Sequence, residues 1–202
     1  MIRRGRQTVP EGFTQADGHV LIAIRLTRLA QLFHSLDPAP FREKDLDPAA
    51  ETYLVESAEE IGADSPIALV FELPEAEIPT AATLLPEAIS HYFIARAVSS
   101  RRELNRLLRE GRAALVIGLA FLGLCLVASE VMSQWGTPLT ARFLGEGLLI
   151  VGWVALWRPL EIFLYAWWPL YRRIRVHRRL AKAPVWIRAT PPGALSKPGS
   201  SG

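Results

Sequence analysis

The chain has 202 residues, half of them hydrophobic, with 23 Lys and Arg against 20 Asp and Glu, for a formal net charge of +3. That length suits one or two small domains. The single cysteine, Cys125, rules out an intrachain disulfide.

Residues 1–18 carry Gly, Pro, Thr and Gln with no apolar period and read as a loose lead-in. The apolar stretch that a signal peptide needs is missing from MIRRGRQTVPEG. HVLIAIRL, His19 to Leu26, is rich in branched residues and predicts a strand that passes into a helical turn or two, with Leu26, Leu29, Leu32, Phe33 and Leu36 on the buried side. DPAPFREKDLDP is a loop. Asp47 then caps a helix with Pro48 in its first position, and Gly62 ends it. Ile67 to Leu73 predicts a second strand. A helix from about Ala81 to Gly111 follows, with a bend allowed at Pro86. Two strands are too few to stand alone, so pairing between subunits, and hence a homo-oligomer, is expected.

Residues 113–132, AALVIGLAFLGLCLVASEVM, are almost purely apolar. About 20 such residues in a helix match the roughly 30 Å hydrocarbon core of a bilayer. From Leu139 to Trp157 runs a second stretch of that kind. A helix unbroken from Leu139 to Tyr171 would be about 50 Å long, so a break is expected at Pro159, with Arg158 at the headgroups. Leu160, Phe163, Leu164, Trp167, Tyr171 and Ile174 then recur at helical spacing, and Pro169 allows another bend. A basic tract follows, with Arg172, Arg173, Arg175, Arg178, Arg179 and Lys182.

The class expected is an α+β membrane protein: a small cytoplasmic α/β domain, a two-helix transmembrane hairpin and a C-terminal interfacial basic helix. The boundaries expected are a lead-in at 1–18, an acidic α/β domain at 19–95, a basic juxtamembrane helix at 96–112, spans at 113–132 and 139–157, the interfacial helix at 159–183 and a flexible tail at 184–202. Arg96, Arg101, Arg102, Arg106, Arg109 and Arg112 precede the first span and the basic tract follows the second, while the connection between spans holds only Arg142. The positive-inside rule then puts both termini in the cytoplasm and the Ser133–Leu139 turn outside. Between Asp37 and Glu77 twelve acids stand against Arg42 and Lys44, a net charge of −10, which keeps that part off an anionic leaflet.

The run LFHSLDPAPFREKDLDPAAETYLVESA, followed by SPIALVFEL, resembles an uncharacterised family of bacterial membrane proteins. These share an LFxSLDPxPFxEKDLDPxAE-type block ahead of a two-span hydrophobic half. The resemblance covers roughly residues 20–180 and implies a bacterial inner-membrane protein.

Chemistry is sparse. His34, Asp37, Arg42, Glu43, Lys44, Asp45 and Asp47 form the densest polar cluster, but Asp and Pro in that order are what turns and caps demand. His19, His34, His91 and His177 lack ligand spacing, and no phosphate loop, dinucleotide fingerprint or serine elbow is present. No catalytic, cofactor or metal residue is assigned, and no cofactor is expected. Five charges near the span ends are candidates for a role within the membrane: Glu130, Arg142, Glu146, Arg158 and Glu161. Candidates for lipid contact are Arg101, Arg102, Trp167, Trp168, Arg172, Arg173, Arg175, Arg178 and Arg179. Small residues (Ala114 with Gly118, Ala141 with Gly145, and Gly152) allow close helix approach. The expected partners are anionic lipids, further copies of the chain and a cytoplasmic protein. Nucleic acid is not expected, since no recognition motif accompanies the basic tract. The functional expectation is a self-assembling scaffold or adaptor, with an oligomeric channel as the alternative and an enzyme using the Asp37–Asp47 loop third.

Overall fold

The computed structural model describes residues 13–33, 45–63, 65–135 and 138–190, with side chains described outside 132–144. His34 to Lys44, Leu36 among them, most of the expected lead-in and the PPGALSKPGSSG end lie outside the described residues, as do Gly136 and Thr137 of the expected outer turn. The chain divides into two compact units. One comprises residues 1–98 with 174–202, and the other residues 99–173.

The first unit is built on a mixed four-stranded sheet of order β1-β2-β3-β4, where two strands were expected. β1 (Thr14–Ala16) and β2 (His19–Arg25) form an antiparallel hairpin. Its two-residue turn, Asp17-Gly18, has φ of +48° and +76°, the left-handed geometry that matches the twist of paired strands. β3 (Ile67–Leu73) runs parallel to β2, with Val20 opposite Ile67, and β4 (Val185–Ala189) runs parallel to β3, with Leu69 opposite Val185. β3 is buried along almost its whole length, as a central parallel strand must be.

Two expectations are corrected here. The lead-in supplies β1, and the tail supplies β4. β4 reads Val-Trp-Ile and finds its place on β3, whose other edge is already taken by β2. The sheet therefore does not need a second subunit to reach a stable size, and the expectation of an oligomer loses that support.

Helices cover one face. A 3₁₀ turn, Leu29–Leu32, replaces the expected helical turns and buries Leu29 and Leu32. α1 (Pro48–Glu60) starts as expected: Asp47 Oδ1 accepts from the Ala49 amide at 2.9 Å, Pro48 holds the first position, and Gly62 follows the end with φ +79°. α2 (Ile78–Trp135) is one helix of 58 residues that continues through Pro86. Its first part contributes Ala81, Leu85, Ala88, Ile89 and Phe93 to the core.

The basic tract belongs to α5 (Trp167–Lys182), and this helix is not an interfacial one along its whole length. Ile174, Val176, His177 and Leu180 are buried, and Val176 and Leu180 join the same core as Leu69 and Phe71. An apolar residue every third or fourth position gives that half of α5 a core face between its arginines. His177 lies beside Phe93, with ring centroids 6.0 Å apart. Arg179, one of the cations expected against lipid, donates to the Ala58 carbonyl at 3.0 Å and to the Ser65 carbonyl. It thereby satisfies a carbonyl in the last turn of α1 and ties down the segment leading into β3.

α1 and α2 are joined by a charged cluster. The Tyr92 hydroxyl donates to Glu51 at 2.8 Å, Arg96 Nε donates to the Tyr92 oxygen at 3.0 Å, and a second Arg96 nitrogen reaches Glu51. Burial first, and then the hydrogen bond to the Glu51 carboxylate, hold the Tyr92 phenol above its usual pKa near 10. The stability that this proton contributes is complete below about pH 10, where an unfolded tyrosine begins to ionise, and falls as pH rises from there toward the raised folded value. Tyr92→Phe is expected to lower stability by about 1–2 kcal/mol at neutral pH. It should also flatten the decline of the unfolding midpoint above pH 10, read by thermal melts across that range.

Candidate functional site

The second unit, residues 99–173, contains the apolar stretches. α3 (Pro138–Ala155) follows α2, and α4 (Trp157–Glu161) follows α3. Two helical stretches, Glu75–Val131 and Gly145–Lys182, are long and apolar enough to cross a membrane. Their side chains are not a buried core. Val116 is 67% exposed, Ile117 68%, Leu124 65%, Val154 66% and Trp157 72%. Apolar area on that scale needs a partner phase or a partner surface, because water penalises it at about 25 cal/mol per Å².

Glycines set how α2 meets α3 and α4. A Cβ on Gly145 would lie 2.7 Å from Ser129 Oγ, and one on Gly152 would lie 2.6 Å from Leu122 Cδ1 and 3.5 Å from Cys125 Cβ. One on Gly118 would lie 2.9 Å from the Ala155 carbonyl oxygen, and one on Gly111 would lie 2.8 Å from Ile162 Cγ2. Residue numbers rise on one side as they fall on the other, so the helices are antiparallel. On α2 the contact residues Gly111, Gly118 and Cys125 are spaced by seven. On α3 so are Gly145 and Gly152, which is the seam spacing of paired helices. Gly118, Gly145 and Gly152 are thus at the contacts that their size allows. Gly111 was missed, although the seven-residue spacing from Gly118 was there to be read.

The packing register is directly testable. Gly152→Cys places a second thiol against Cys125 at a Cβ separation suited to a disulfide. The close Leu122 Cδ1 is the end of a flexible side chain and can turn aside, and the Leu122 Cα at 3.3 Å asks the backbones to part by only a few tenths of an ångström. Mild oxidation of the purified Gly152→Cys protein is expected to form this intramolecular bridge, seen as the loss of two free thiols. Gly147→Cys, with open space around its Cβ, should remain reduced.

The break between α3 and α4 falls at Leu156, three residues before the expected one. Pro159 lacks the N–H that would bond the Ala155 carbonyl, so the ladder stops there and Pro159 takes the third position of α4, where no intrahelical donor is needed. The freed Ala155 carbonyl faces Gly118. A π turn, Ile162–Ala166, leads from α4 into α5. It precedes Pro169, which removes the donor for the Tyr165 carbonyl in the same way. Trp167 Nε1 donates to the Phe163 carbonyl at 2.9 Å. Trp167 also sets its ring edgewise to Trp168 and Tyr171, at centroid distances of 5.8 and 6.1 Å.

Of the five charge candidates, Arg158 and Glu161 are brought together in an exposed pair at 3.1 Å. Such a pair contributes little to stability, roughly 0–1 kcal/mol. Glu130 and Glu146 are both exposed, and each stands next in sequence to a member of the Ser129–Gly145 contact. The Arg142 side chain, and with it the expected pairing to Glu146, lies outside the described residues. Among the lipid candidates, Arg101, Arg102, Trp168, Arg172, Arg173, Arg175 and Arg178 are exposed and Trp167 is half-buried. Among the described residues no group of His, Cys, Asp and Glu could hold a metal ion. No protein-family model, no curated protein and no solved structure matches this chain.

Proposed function

We propose that this chain is a two-span adaptor of the bacterial inner membrane, whose helical hairpin holds the sheet unit at the cytoplasmic face for a protein partner. The observation that carries the reading is the construction of the sheet. β1 to β3 precede the hairpin and β4 follows it, so both ends of the hairpin return to one folded unit and leave a membrane on the same side. The excess of arginines on both flanks over the short connection supports the cytoplasm as that side. The bacterial inner membrane is the location that the family resemblance implies. Exposed acids on the sheet unit, Glu56 and Glu60 on α1 and Glu75 before α2, offer a cationic partner surface a complement. Self-assembly belongs to the same proposal, through apolar hairpin faces that a second copy can cover as lipid does. The facing residues of the hairpin are Gly, Leu, Ile and Cys with Ser129 as the one polar side chain among the described contacts, which supports an anchor over a conducting path that needs a continuous polar lining.

Topology tests this reading. In a Cys125→Ser background, single cysteines at Glu60 and Arg188 are expected to react with an impermeant maleimide only from the cytoplasmic face, and one at Ser133 only from the opposite face. Labelling of Glu60→Cys and Arg188→Cys from different faces would sink it. The mass of the protein in nanodiscs, one copy against several, decides self-assembly.

A further inference from the structure

One side of α2 is left over by the packing of the hairpin. Gly111, Gly118, Leu122, Cys125 and Ser129 mark the side that meets the partner helix. Counting about 100° per residue, Arg102, Arg106 and Arg109 fall on the opposite side, within about 60° of one another, and Arg112 lies just beside them. All four are exposed. Arg106 is paired with Glu110 at 3.1 Å, whereas Arg102, Arg109 and Arg112 have no carboxylate partner among the described residues. Directly along the same side follow Val116, Ile117, Ala120, Leu124 and Val127, all exposed. From Ala113 to Val127 this apolar track is about 21 Å long, the reach of one extended acyl chain across a leaflet and somewhat beyond.

The facing strand of the hairpin does not repeat this pattern. Counting five residues down each helix from the Gly111–Ile162 contact brings Arg106 level with Trp167. At the depth of Arg106 and Arg109 the other helix shows exposed Phe163, Leu164 and Trp168, and level with Arg112 it shows Glu161, whose charge is balanced by Arg158. The two sides of one hairpin therefore ask for different surroundings at one depth: acyl chains against the aromatics, anions against the arginines.

We propose that the outer side of α2 is a binding site for an anionic phospholipid, with the phosphate held by Arg109 and Arg112, Arg102 adding positive charge about 15 Å from Arg112 toward the headgroup side, and an acyl chain laid along Val116, Ile117, Leu124 and Val127. Unpaired guanidinium groups bind phosphate oxygens in paired hydrogen bonds, and the charge selects an anionic headgroup over a zwitterionic one. The site deepens the adaptor reading and rests on its membrane hairpin.

The test is co-purification from mixed bilayers. The full chain is reconstituted in phosphatidylcholine vesicles with and without phosphatidylglycerol, extracted gently, and weighed with its retained lipids by native mass spectrometry. The wild-type protein is expected to retain phosphatidylglycerol with about ten-fold enrichment over its share of the bilayer. R102Q/R109Q/R112Q should lose that enrichment, while R188Q in the sheet unit should keep it. Wild-type retention that merely follows bulk composition overturns the site without reference to any variant, and so does enrichment that survives the triple substitution. A chain that floats with neither vesicle would instead overturn the membrane reading itself.

Discussion

A chain stopped after Ala183 is expected to lose its folded sheet unit while keeping both apolar helices. The stop removes β4, whose Val185 and Ile187 pack on the main core and whose backbone pairs with β3 from Leu69 to Leu73. Burying the two side chains in part is worth about 1–2 kcal/mol each. Exposing β3, now an edge strand with Leu69, Val70 and Phe71 buried along it, costs as much again. The sum, about 4–8 kcal/mol, is most of the margin of a small domain. Hydrogen exchange reads the result: amides of Ile67–Leu73 should lose protection, whereas those of the apolar part of α2 should not. Arg188→Ala, an exposed position on the same strand, should leave the protection intact. Full protection of β3 in the shortened chain would mean that β4 is dispensable.

Gly118→Leu is expected to separate the hairpin, and Gly123→Leu is not. A Cβ at position 118 meets the Ala155 carbonyl oxygen at 2.9 Å, and backbone at a helix break cannot swing aside as a side chain can. A Cβ at position 123 meets nothing within 4 Å. Overpacking of this kind costs about 1–3 kcal/mol where side chains can adjust, and a backbone clash belongs at the upper end of that range. The comparison isolates fit from hydrophobicity, since both variants add the same apolar side chain to the same helix. Thermal unfolding in detergent and energy transfer between dyes on α2 and α3 should both show the loss at 118 alone. An equal effect at both positions would refute the glycine seam.

Much of this architecture was legible in the chain itself. Asp47-Pro48 announced the start of α1, and branched residues announced β2 and β3 within a residue of their ends. The two apolar stretches stood out by length alone. What failed was the reading of the ends. The Asp17-Gly18 pair between Thr14–Ala16 and His19 was a hairpin signal that went unused, because the residues before it lack an apolar period. Val185–Ala189 is five residues between prolines, and no local pattern says that its partner is β3, more than a hundred positions earlier. The basic tract misled for another reason. Six cations in one stretch look like a surface helix, yet Ile174, Val176 and Leu180 alternate with them closely enough to give α5 a core face. For the candidate site, the exposed apolar residues of the two long helical stretches were legible from composition. The side of α2 that carries unpaired arginines was not, since it emerges only once the glycine contacts fix which side is taken.

The second crossover of the sheet, from β3 to β4, passes through the whole hairpin. During synthesis β3 therefore leaves the ribosome well before β4, and on the proposed topology it waits while both apolar helices are handed to the insertion machinery. On the proposed topology, a chain that inserted only one helix would strand β4 across the bilayer from β3. Such a chain would carry an unfinished sheet with an exposed hydrophobic edge, the kind of surface that proteases and chaperones recognise. On that topology closure of the sheet would work as a proofreading step, completed only by molecules with both crossings made.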